Sequence, residues 1–362
     1  MKKSDSEVTD PKWAHSPQLP ERREFVLSQY ERLWTGVQSK ARSLLDSGER
    51  DLSRVHLFMR RNFGPEFESA HLEQKYKDHE RQKSGSGFIY DKQLIGIHDA
   101  DSRVVTLMTD AVKMREAIDA LGLDVERIVE LGSGWGKTSF NLFRFGAPLA
   151  AEYYAFELTE AGKAVTRMVA AEAAPTMKIA AHFFDYYEPD FSVLKDAKPT
   201  GVITHHSIEQ IPEVSTRLID AILAIPGFSR CVHLEPCGFQ IPTNNWLAGG
   251  QAALMHDIDA RNRRFSQKKN QNMNLYPLLR DYERQGKIRI YTVRKYLTSH
   301  LIDNATTLIV WGPSDRALPD NELVNPRRDD LLPDKAGPAN NAPERRSLFR
   351  RVARGVKRRL LG

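Results

Sequence analysis

The sequence has little cysteine and no long apolar run. Its 362 residues include two cysteines, Cys231 and Cys237, which form neither a disulfide framework nor a zinc-binding pattern. A reducing cytoplasm is therefore the expected compartment. No apolar run reaches the length of about eighteen residues that a membrane span requires, and no apolar signal region follows the first residues. Neither membrane spanning nor secretion is predicted.

Acidic residues are missing from residues 345–362, which contain eight Arg and Lys. The net charge of the whole chain is +6, so the other residues sum to about −2. A generally basic surface for nucleic acid is therefore not predicted, and no nucleic-acid partner is favoured. If residues 347–361 form a helix, their apolar and basic side chains lie on opposite faces. Such a helix is suited to an anionic membrane surface, although nucleic acid, a protein partner or plain solvation stay open for this tail.

The composition predicts one main domain with appended segments. These are a mobile lead-in at 1–20, a helical extension at 21–102, a core domain at 103–313, a linker rich in Pro, Asp and Asn at 314–343 and the basic amphipathic tail at 344–362. Within the extension, residues 84–90 combine small residues with aromatics and predict a loop. This loop is either a lid at the mouth of a ligand site or an ordinary surface linker.

The core domain alternates strand and helix patterns. Strands are predicted at 127–131, 153–157, 178–184, 201–205 and 230–235, followed by two β-rich runs at 287–293 and 306–311. Helices are predicted at 103–121, 137–145, 160–173, 191–196 and 214–224. Alternation of this kind implies right-handed crossovers and a parallel sheet. The expected fold is α/β, a doubly wound, Rossmann-like sheet of about seven strands.

A turn with alternate glycines lies at the centre of this core. Residues 127–131 are apolar with an acid near the end, residues 132–136 form the turn, and residues 137–145 can form a helix. This order brings backbone N–H groups close to a ligand. A phosphate-binding P-loop would need a glycine in place of Leu131, and a dinucleotide fingerprint would need its third glycine one position after Gly136. The turn therefore predicts a ligand of another class.

Acids recur at the ends of successive predicted strands, as Glu130, Glu157 and Asp185. Together with the glycine turn, this order resembles the class I S-adenosylmethionine-dependent methyltransferases. The resemblance implies S-adenosyl-L-methionine as the cofactor, with Glu157 on the ribose hydroxyls and Asp185 on the adenine amino group. A carboxylate suits a ribose diol because it accepts two charge-assisted hydrogen bonds. The alternative is that all three are solvated acids. The implied cofactor-binding residues are Glu130, Gly132, Ser133, Gly134, Gly136, Glu157, Leu158, Phe184, Asp185 and Thr204.

Histidines at the tip of the fourth predicted strand are candidates for a general base. Methyl transfer to a hydroxyl group needs a positioned acceptor and a group that removes its proton. His206 is the first candidate because histidine titrates near neutral pH, and His205 and Glu209 complete the candidate catalytic set. His205 could instead point into the core, since adjacent strand residues face opposite ways. Both histidines could also have only structural roles. Candidates of second rank are His233 and Glu235 at the next strand.

The segment between the fifth strand and the closing β-rich runs contains acids and many bases. Oxygen ligands at 256–264 could hold a divalent metal, but their spacing is not diagnostic, so a solvated helix is favoured and no metal is predicted. Basic side chains there could bind an anionic acceptor such as a phosphate-bearing glycan or lipid. They are Arg261, Arg263, Arg264, Lys268 and Lys269.

A finer resemblance concerns the acceptor. Residues 206–211, 234–236 and 307–311 are similar to methyltransferases found with bacterial surface-polysaccharide genes. The leading hypothesis is O-methylation of a sugar or other hydroxylated small molecule by a cytoplasmic protein, peripheral on the inner membrane face. Alternatives are N-methylation of an amine or lipid head group, for which no base is required, and an inactive protein that binds the cofactor as a scaffold. An aminopropyltransferase stays formally open.

Overall fold

The computed structural model describes residues 19–61, 87–90, 93–96, 102–242, 250–299, 304–315 and 328–329. The chain divides into two compact units, Met1–Asp330 and Leu331–Gly362, and all described residues belong to the first. Most of the predicted lead-in and linker lies outside the described residues, as does the whole basic tail. The amphipathic helix of the tail therefore stays a prediction.

The N-terminal extension contains two helices and a β-hairpin. Helix α1 is Leu19–Asp46 and helix α2 is Leu52–Arg61, as the helical spacing of their apolar residues predicts. Strand β1, Gly87–Tyr90, pairs antiparallel with β2, Gln93–Gly96. The loop prediction is therefore wrong for 87–90, where aromatic and β-branched residues favour a strand.

The core alternates strands and helices as the sequence predicts. The strands are β3 (Arg127–Leu131), β4 (Glu152–Glu157), β5 (Ile179–Phe183), β6 (Thr200–His205), β7 (Phe228–Glu235), β8 (Ile288–Ser299) and β9 (Thr306–Pro313). The helices are α3 (Ser102–Leu121), α4 (Lys137–Arg144), α5 (Glu160–Ala173), α6 (Thr216–Leu223), α7 (Gly250–Lys268) and α8 (Leu275–Arg284). All seven predicted core strands are confirmed, and β8 extends well beyond its predicted end.

The sheet has nine strands in the order β2-β1-β8-β9-β7-β6-β3-β4-β5. Strands β5, β4, β3, β6 and β7 are parallel to one another. Strand β9 is antiparallel to both β7 and β8. The predicted doubly wound sheet is confirmed, with the β1–β2 hairpin added at its edge beside β8. The chain leaves β3 toward β4 and later crosses over to β6. In open α/β sheets, ligands bind outside the carboxyl ends of the strands at such a switch point.

Apolar layers cover both faces of the sheet. Adjacent residues of β3 point to opposite faces, so Ile128 joins the cluster formed with α1 to α5 and Val129 joins the cluster formed with α6 and α8. A third, smaller cluster contains Ile258 of α7. Both main faces of the parallel strands are therefore buried, as their nearly continuous apolar sequences require.

The helix predicted at 191–196 is absent. This segment forms a turn in which the N–H group of Leu194 donates to the carbonyl oxygen of Phe191 over 2.9 Å. Phe191 and Leu194 are both buried, so the apolar spacing indicates core contacts rather than a continuous helix. Among the helices of the described residues, none has both the length and the apolar character needed to cross a membrane.

Candidate functional site

The glycine turn connects β3 to α4 in a left-handed backbone conformation. The φ angles of Gly132, Gly134 and Gly136 are 65°, 56° and 77°, which only glycine adopts at low cost. Close neighbours add a second requirement at two of these positions. A Cβ atom on Gly132 would lie 2.6 Å from the Cβ of Ser207, and one on Gly134 would lie 2.7 Å from the ring of Trp34. The turn is therefore enclosed by the segment after β6 and by α1.

Glu130 connects the end of β3 to α4. Its Oε2 accepts hydrogen bonds from the N–H group and the hydroxyl group of Ser139, over 2.8 and 2.6 Å. Burial raises the pKa of the Glu130 carboxyl above its ordinary value. The side chain thus stabilises the strand–turn–helix unit, a structural role that the sequence interpretation does not include. Ser133, in the turn, donates its N–H group to the carbonyl oxygen of Phe156 over 3.0 Å.

Glu157 lies at the end of β4 and reaches back to the glycine turn. Its Oε2 accepts a hydrogen bond from the N–H group of Gly134 over 2.7 Å. Its Oε1 accepts from the N–H and hydroxyl groups of Thr159 over 3.0 and 2.6 Å. Burial raises the pKa of the Glu157 carboxyl to about 7. The structure therefore places this carboxylate directly at the turn, with half-buried Leu158 next to it.

Asp185 follows β5 and is almost completely buried, with a side-chain exposure of 2%. Its Oδ1 accepts a hydrogen bond from the N–H group of Tyr187 over 2.9 Å, and its Oδ2 forms an ion pair with Arg23 of α1. Phe184 is buried in the core, where its ring is edge-on to that of Phe156 at 5.7 Å. Phe183 is 55% exposed and is the apolar side chain on the surface here.

Three carboxylates thus lie at the carboxyl ends of the neighbouring parallel strands β3, β4 and β5, next to the glycine turn that follows β3. These hydrogen-bond acceptors fit a nucleoside cofactor with a ribose diol, because Glu157 ends β4, Asp185 follows the adjacent β5, and the glycines place no side chain over the turn. Glu157 and Asp185 would hold the ribose and the adenine, and the glycines would face the rest of the cofactor.

His206 directly follows β6 and has a positive φ of 52°, which is rare for a residue other than glycine. Its Nδ1 lies 3.3 Å from Oε2 of Glu209, and its Nε2 lies 2.7 Å from the hydroxyl oxygen of Thr306. A carboxylate near Nδ1 favours a proton on that nitrogen, and Nε2 then accepts a hydrogen bond from the Thr306 hydroxyl group. The Lys113 side chain, which can only donate, lies 3.5 Å from the same nitrogen. Nε2 is therefore the hydrogen-bond acceptor of the ring in this tautomer.

His205 contacts the start of α4. Its Nδ1 lies 3.0 Å from the hydroxyl oxygen of Thr138, which is buried, and the two histidine rings are 5.2 Å apart in an edge-on arrangement. Burial, followed by the charges of Lys113 and Lys137, holds the pKa of His205 well below its ordinary value. His205 is therefore neutral at physiological pH, and its contact with a buried residue agrees with the interior alternative.

Glu235 shapes the turn that carries His206. Its carboxylate accepts hydrogen bonds from the consecutive N–H groups of Ser207, Ile208 and Glu209, over 3.1, 3.3 and 3.4 Å. Burial, with the charge of Glu209, raises the pKa of the Glu235 carboxyl to about 8. Glu235 therefore supports the backbone of the turn.

His233 is excluded as a base by its hydrogen bonds. Its Nε2 accepts from the indole N–H of Trp311 over 2.9 Å, so its proton is on Nδ1, which donates to the hydroxyl oxygen of Thr204 over 2.9 Å. Burial lowers the pKa of His233 to about 3, and the ring is completely buried. Both His233 and Thr204 are consequently interior residues between β6 and β7.

Two basic side chains of α7 have partners within the protein. Arg261 forms an ion pair with Asp257 over 2.8 Å, and Arg263 donates to the carbonyl oxygen of Phe239 over 2.8 Å. Anion binding by the whole basic set stays a prediction. A cleft of about 250 Å³ beside α7 is lined by Phe239, Gln240, Ile241, Pro242, His256, Asp259 and Arg263. Among the described residues, no three His, Cys, Asp or Glu side chains are arranged to hold a metal ion.

Sequence reasoning misses several residues of the site. Arg23 and Trp34 of α1 reach Asp185 and Gly134, while Lys113 of α3 and Thr306 of β9 reach His206. These partners lie far from the motif along the chain, so no local pattern reveals them. The positive φ of His206 is equally invisible in the sequence.

The chain matches no protein-family model and no curated protein, but it is similar to solved structures of methyltransferases. Magnesium protoporphyrin IX methyltransferase from Synechocystis, with bound S-adenosylhomocysteine, is 15% identical, with 66% of this chain and 95% of that chain covered and a TM-score of 0.40. An O-methyltransferase from Bacillus cereus is 12% identical, with 57% and 80% covered and a TM-score of 0.36. A SAM-dependent methyltransferase from Aquifex aeolicus is 9% identical, with 59% and 98% covered and a TM-score of 0.34.

Proposed function

We propose that this chain is an S-adenosylmethionine-dependent methyltransferase that acts on a hydroxyl group of a sugar or another small molecule. The observation that carries the proposal is the position of Glu157, whose Oε2 lies 2.7 Å from the backbone nitrogen of Gly134. This distance supports the assignment of Glu157 to the ribose, because the carboxylate and the glycine turn belong to one site. Asp185, beyond the next strand, supplies the acceptor for the adenine amino group.

The bound cofactor supplies an electrophilic methyl group on a sulfonium, and the chain supplies position and a base. The segment after β6 lies beside the glycine turn, because Ser207 is the close neighbour of Gly132. His206 is therefore next to the part of the cofactor that faces the turn. Holding an acceptor oxygen in line with the methyl group contributes most of the rate enhancement.

His206 removes the proton of the acceptor hydroxyl. With the cofactor bound, the Nε2 atom would take this proton as the acceptor oxygen becomes methylated. Glu209, 3.3 Å from Nδ1, holds the ring in the required tautomer and stabilises the imidazolium that forms. Thr306 and Lys113 offer hydrogen-bond donors beside Nε2, which suits an acceptor oxygen.

The proposed location and partners of the protein rest on the charge of its basic tail. Residues 345–362 contain eight basic residues, and about 1 kcal/mol of attraction per basic residue close to an anionic surface supports peripheral binding on the inner membrane face. A glycan or precursor handled at this surface is the acceptor class that we favour. Nucleic acid is not favoured, because the remaining chain has no net positive charge.

Calorimetric titration with S-adenosylhomocysteine tests the cofactor part of the proposal. We expect micromolar affinity for the wild-type chain, loss of binding in Glu157→Ala, and wild-type affinity in Glu213→Ala, which removes an exposed acid elsewhere. A folded wild-type chain that binds neither this product nor the cofactor would contradict the proposal.

Formation of S-adenosylhomocysteine with sugar-containing acceptors tests the reaction. Nucleotide sugars and amino sugars form a matched panel, because they offer hydroxyl and amine acceptors on similar skeletons. The N-methyltransferase alternative predicts that His206→Gln retains activity, since an amine needs no general base. The scaffold alternative predicts cofactor binding without product from any acceptor.

A further inference from the structure

Helix α1 contacts the candidate cofactor site at three points. Arg23 forms an ion pair with Asp185. Further along the helix, Glu31 accepts a hydrogen bond from the N–H group of Ala161 over 3.0 Å, at the start of α5. Trp34 lies so close to the glycine turn that a Cβ atom on Gly134 would be 2.7 Å from its ring. One helix therefore extends from the adenine-binding acid to the turn.

Arg23 occupies the acceptor that the adenine would use. The two oxygens of Asp185 receive hydrogen bonds from Arg23 and from the N–H group of Tyr187, and the carboxylate is 2% exposed. An adenine amino group needs one of these oxygens as its acceptor. The Arg23 side chain is 44% exposed, so its ion pair is accessible to water and salt and can be replaced at low cost.

We propose that the first turns of α1, around Arg23, are a lid over the cofactor site and that Arg23 is its latch. The cofactor enters when Arg23 releases Asp185, and the adenine amino group then takes the place of the guanidinium. Trp34 is buried in the main apolar cluster and Phe25 is 46% exposed, so the movement is confined to the start of the helix while Trp34 stays packed on the glycine turn. This inference rests on the proposed function, because only a nucleoside-binding site requires Asp185 as an acceptor.

The rate of S-adenosylhomocysteine binding tests the lid. Stopped-flow mixing with detection of tryptophan fluorescence suits the site, because Trp34 lies against the turn. Arg23→Gln is expected to bind about fivefold faster and about fivefold more tightly than the wild type, as the loss of an exposed ion pair predicts. Salt should accelerate binding to the wild type and not to Arg23→Gln, since salt weakens the latch and the ligand itself has no net charge.

Arg32→Gln is the matched control, because Arg32 is exposed on the same helix and the variant loses the same charge. It should bind at the wild-type rate. Equal rates for the wild type and Arg23→Gln, or equal acceleration by Arg32→Gln, would overturn the lid while leaving the cofactor assignment intact. Weaker binding by Arg23→Gln would also overturn it, since Arg23 would then hold the ligand. Failure of every variant to bind would overturn the proposed function itself.

Discussion

Glu130 and Glu157 are held by groups of the glycine turn and of the residues close to it in the sequence, whereas His206 is also held by side chains from distant segments. Glu157 accepts hydrogen bonds from the backbone of Gly134 and Thr159. His206 instead contacts Lys113 of α3 and Thr306 of β9. Backbone donors are available whatever the surrounding sequence is, so the first arrangement depends mainly on glycine spacing and strand ends. The second depends on particular side chains that the fold brings together.

The proposed function divides two tasks between these groups. In that proposal the ends of β3, β4 and β5 hold the cofactor, and the end of β6 with the start of β9 handles the acceptor proton. A substitution in one group should leave the other task intact if the account is right. Substitutions at residues that are more than about 7–10 Å apart and share no partners generally have independent effects.

The largest expected effect is on turnover in His206→Gln. Loss of a general base lowers the turnover number by about 10²- to 10⁴-fold for a hydroxyl acceptor, while the affinity for S-adenosylhomocysteine stays unchanged. Turnover is measured as cofactor conversion at saturating acceptor. Retained turnover with an amine acceptor would instead support N-methylation and remove His206 from the mechanism.

The glycine turn should respond strongly to Gly134→Ala. A left-handed φ and the close approach of Trp34 together should lower the free energy of unfolding by about 3 kcal/mol. Gly146→Ala is a matched control, because Gly146 has a φ of 94° and no neighbour within 4 Å of a built Cβ. It should cost about 1 kcal/mol, from backbone strain alone. Urea unfolding measures both, and equal losses would show that Trp34 does not pack on the turn.

A smaller effect concerns pH. Burial raises the pKa of the Glu157 carboxyl to about 7, and a protonated carboxyl loses acceptor capacity for a ribose diol. Affinity for S-adenosylhomocysteine should therefore fall by up to about tenfold per pH unit as the pH falls below 7. Calorimetry from about pH 5.5 to 8.5 measures this affinity, and the affinity of Glu157→Gln should not show this pH dependence.

Glu157 contributes to stability with the opposite sign. Its folded-state pKa of about 7 exceeds the ordinary value of 4.5, so the folded chain binds more protons between these limits. The contribution is present below pH 4.5 and is lost as the pH rises through 7. The free energy of unfolding of Glu157→Gln, measured with urea, should lack this part of the pH dependence. The same pH dependence in the variant and the wild type would contradict a raised pKa of the Glu157 carboxyl.

The smallest effect on the site itself is expected from deletion of residues 345–362. Binding to anionic phospholipid vesicles should be lost in sedimentation, because the eight basic residues are removed. The affinity for S-adenosylhomocysteine should not change. Full vesicle binding by the shortened chain would place the membrane contact elsewhere.

The sequence predicts the sheet and the order of strand, glycine turn and helix well, for physical reasons. Strand and helix periodicities, the glycine spacing and the acids at strand ends are local, and the structure places Glu157 beside Gly134 as they imply. Local patterns fail at residues 191–196, where apolar spacing reflects core contacts, and at 87–90, where pairing with β8 forms a strand.

The acceptor half could be predicted only in part. His206 and Glu209 lie near each other in the sequence and in space. The roles of Thr306, Lys113 and Arg23 depend on tertiary packing, and the burial that makes His233 an interior residue depends on the indole of Trp311. The role of Glu130 is equally hard to predict, because the motif does not reveal that its side chain contacts Ser139 of α4.

The most direct test of the account is the affinity for S-adenosylhomocysteine of Glu157→Ala and His206→Gln, measured side by side by calorimetry. The account predicts that Glu157→Ala loses at least about a hundredfold in affinity, because charge-assisted hydrogen bonds are removed, and that His206→Gln binds as the wild type does. Equal affinities of the two variants, or loss of binding in His206→Gln alone, would contradict the division of the crevice into a cofactor half and an acceptor half.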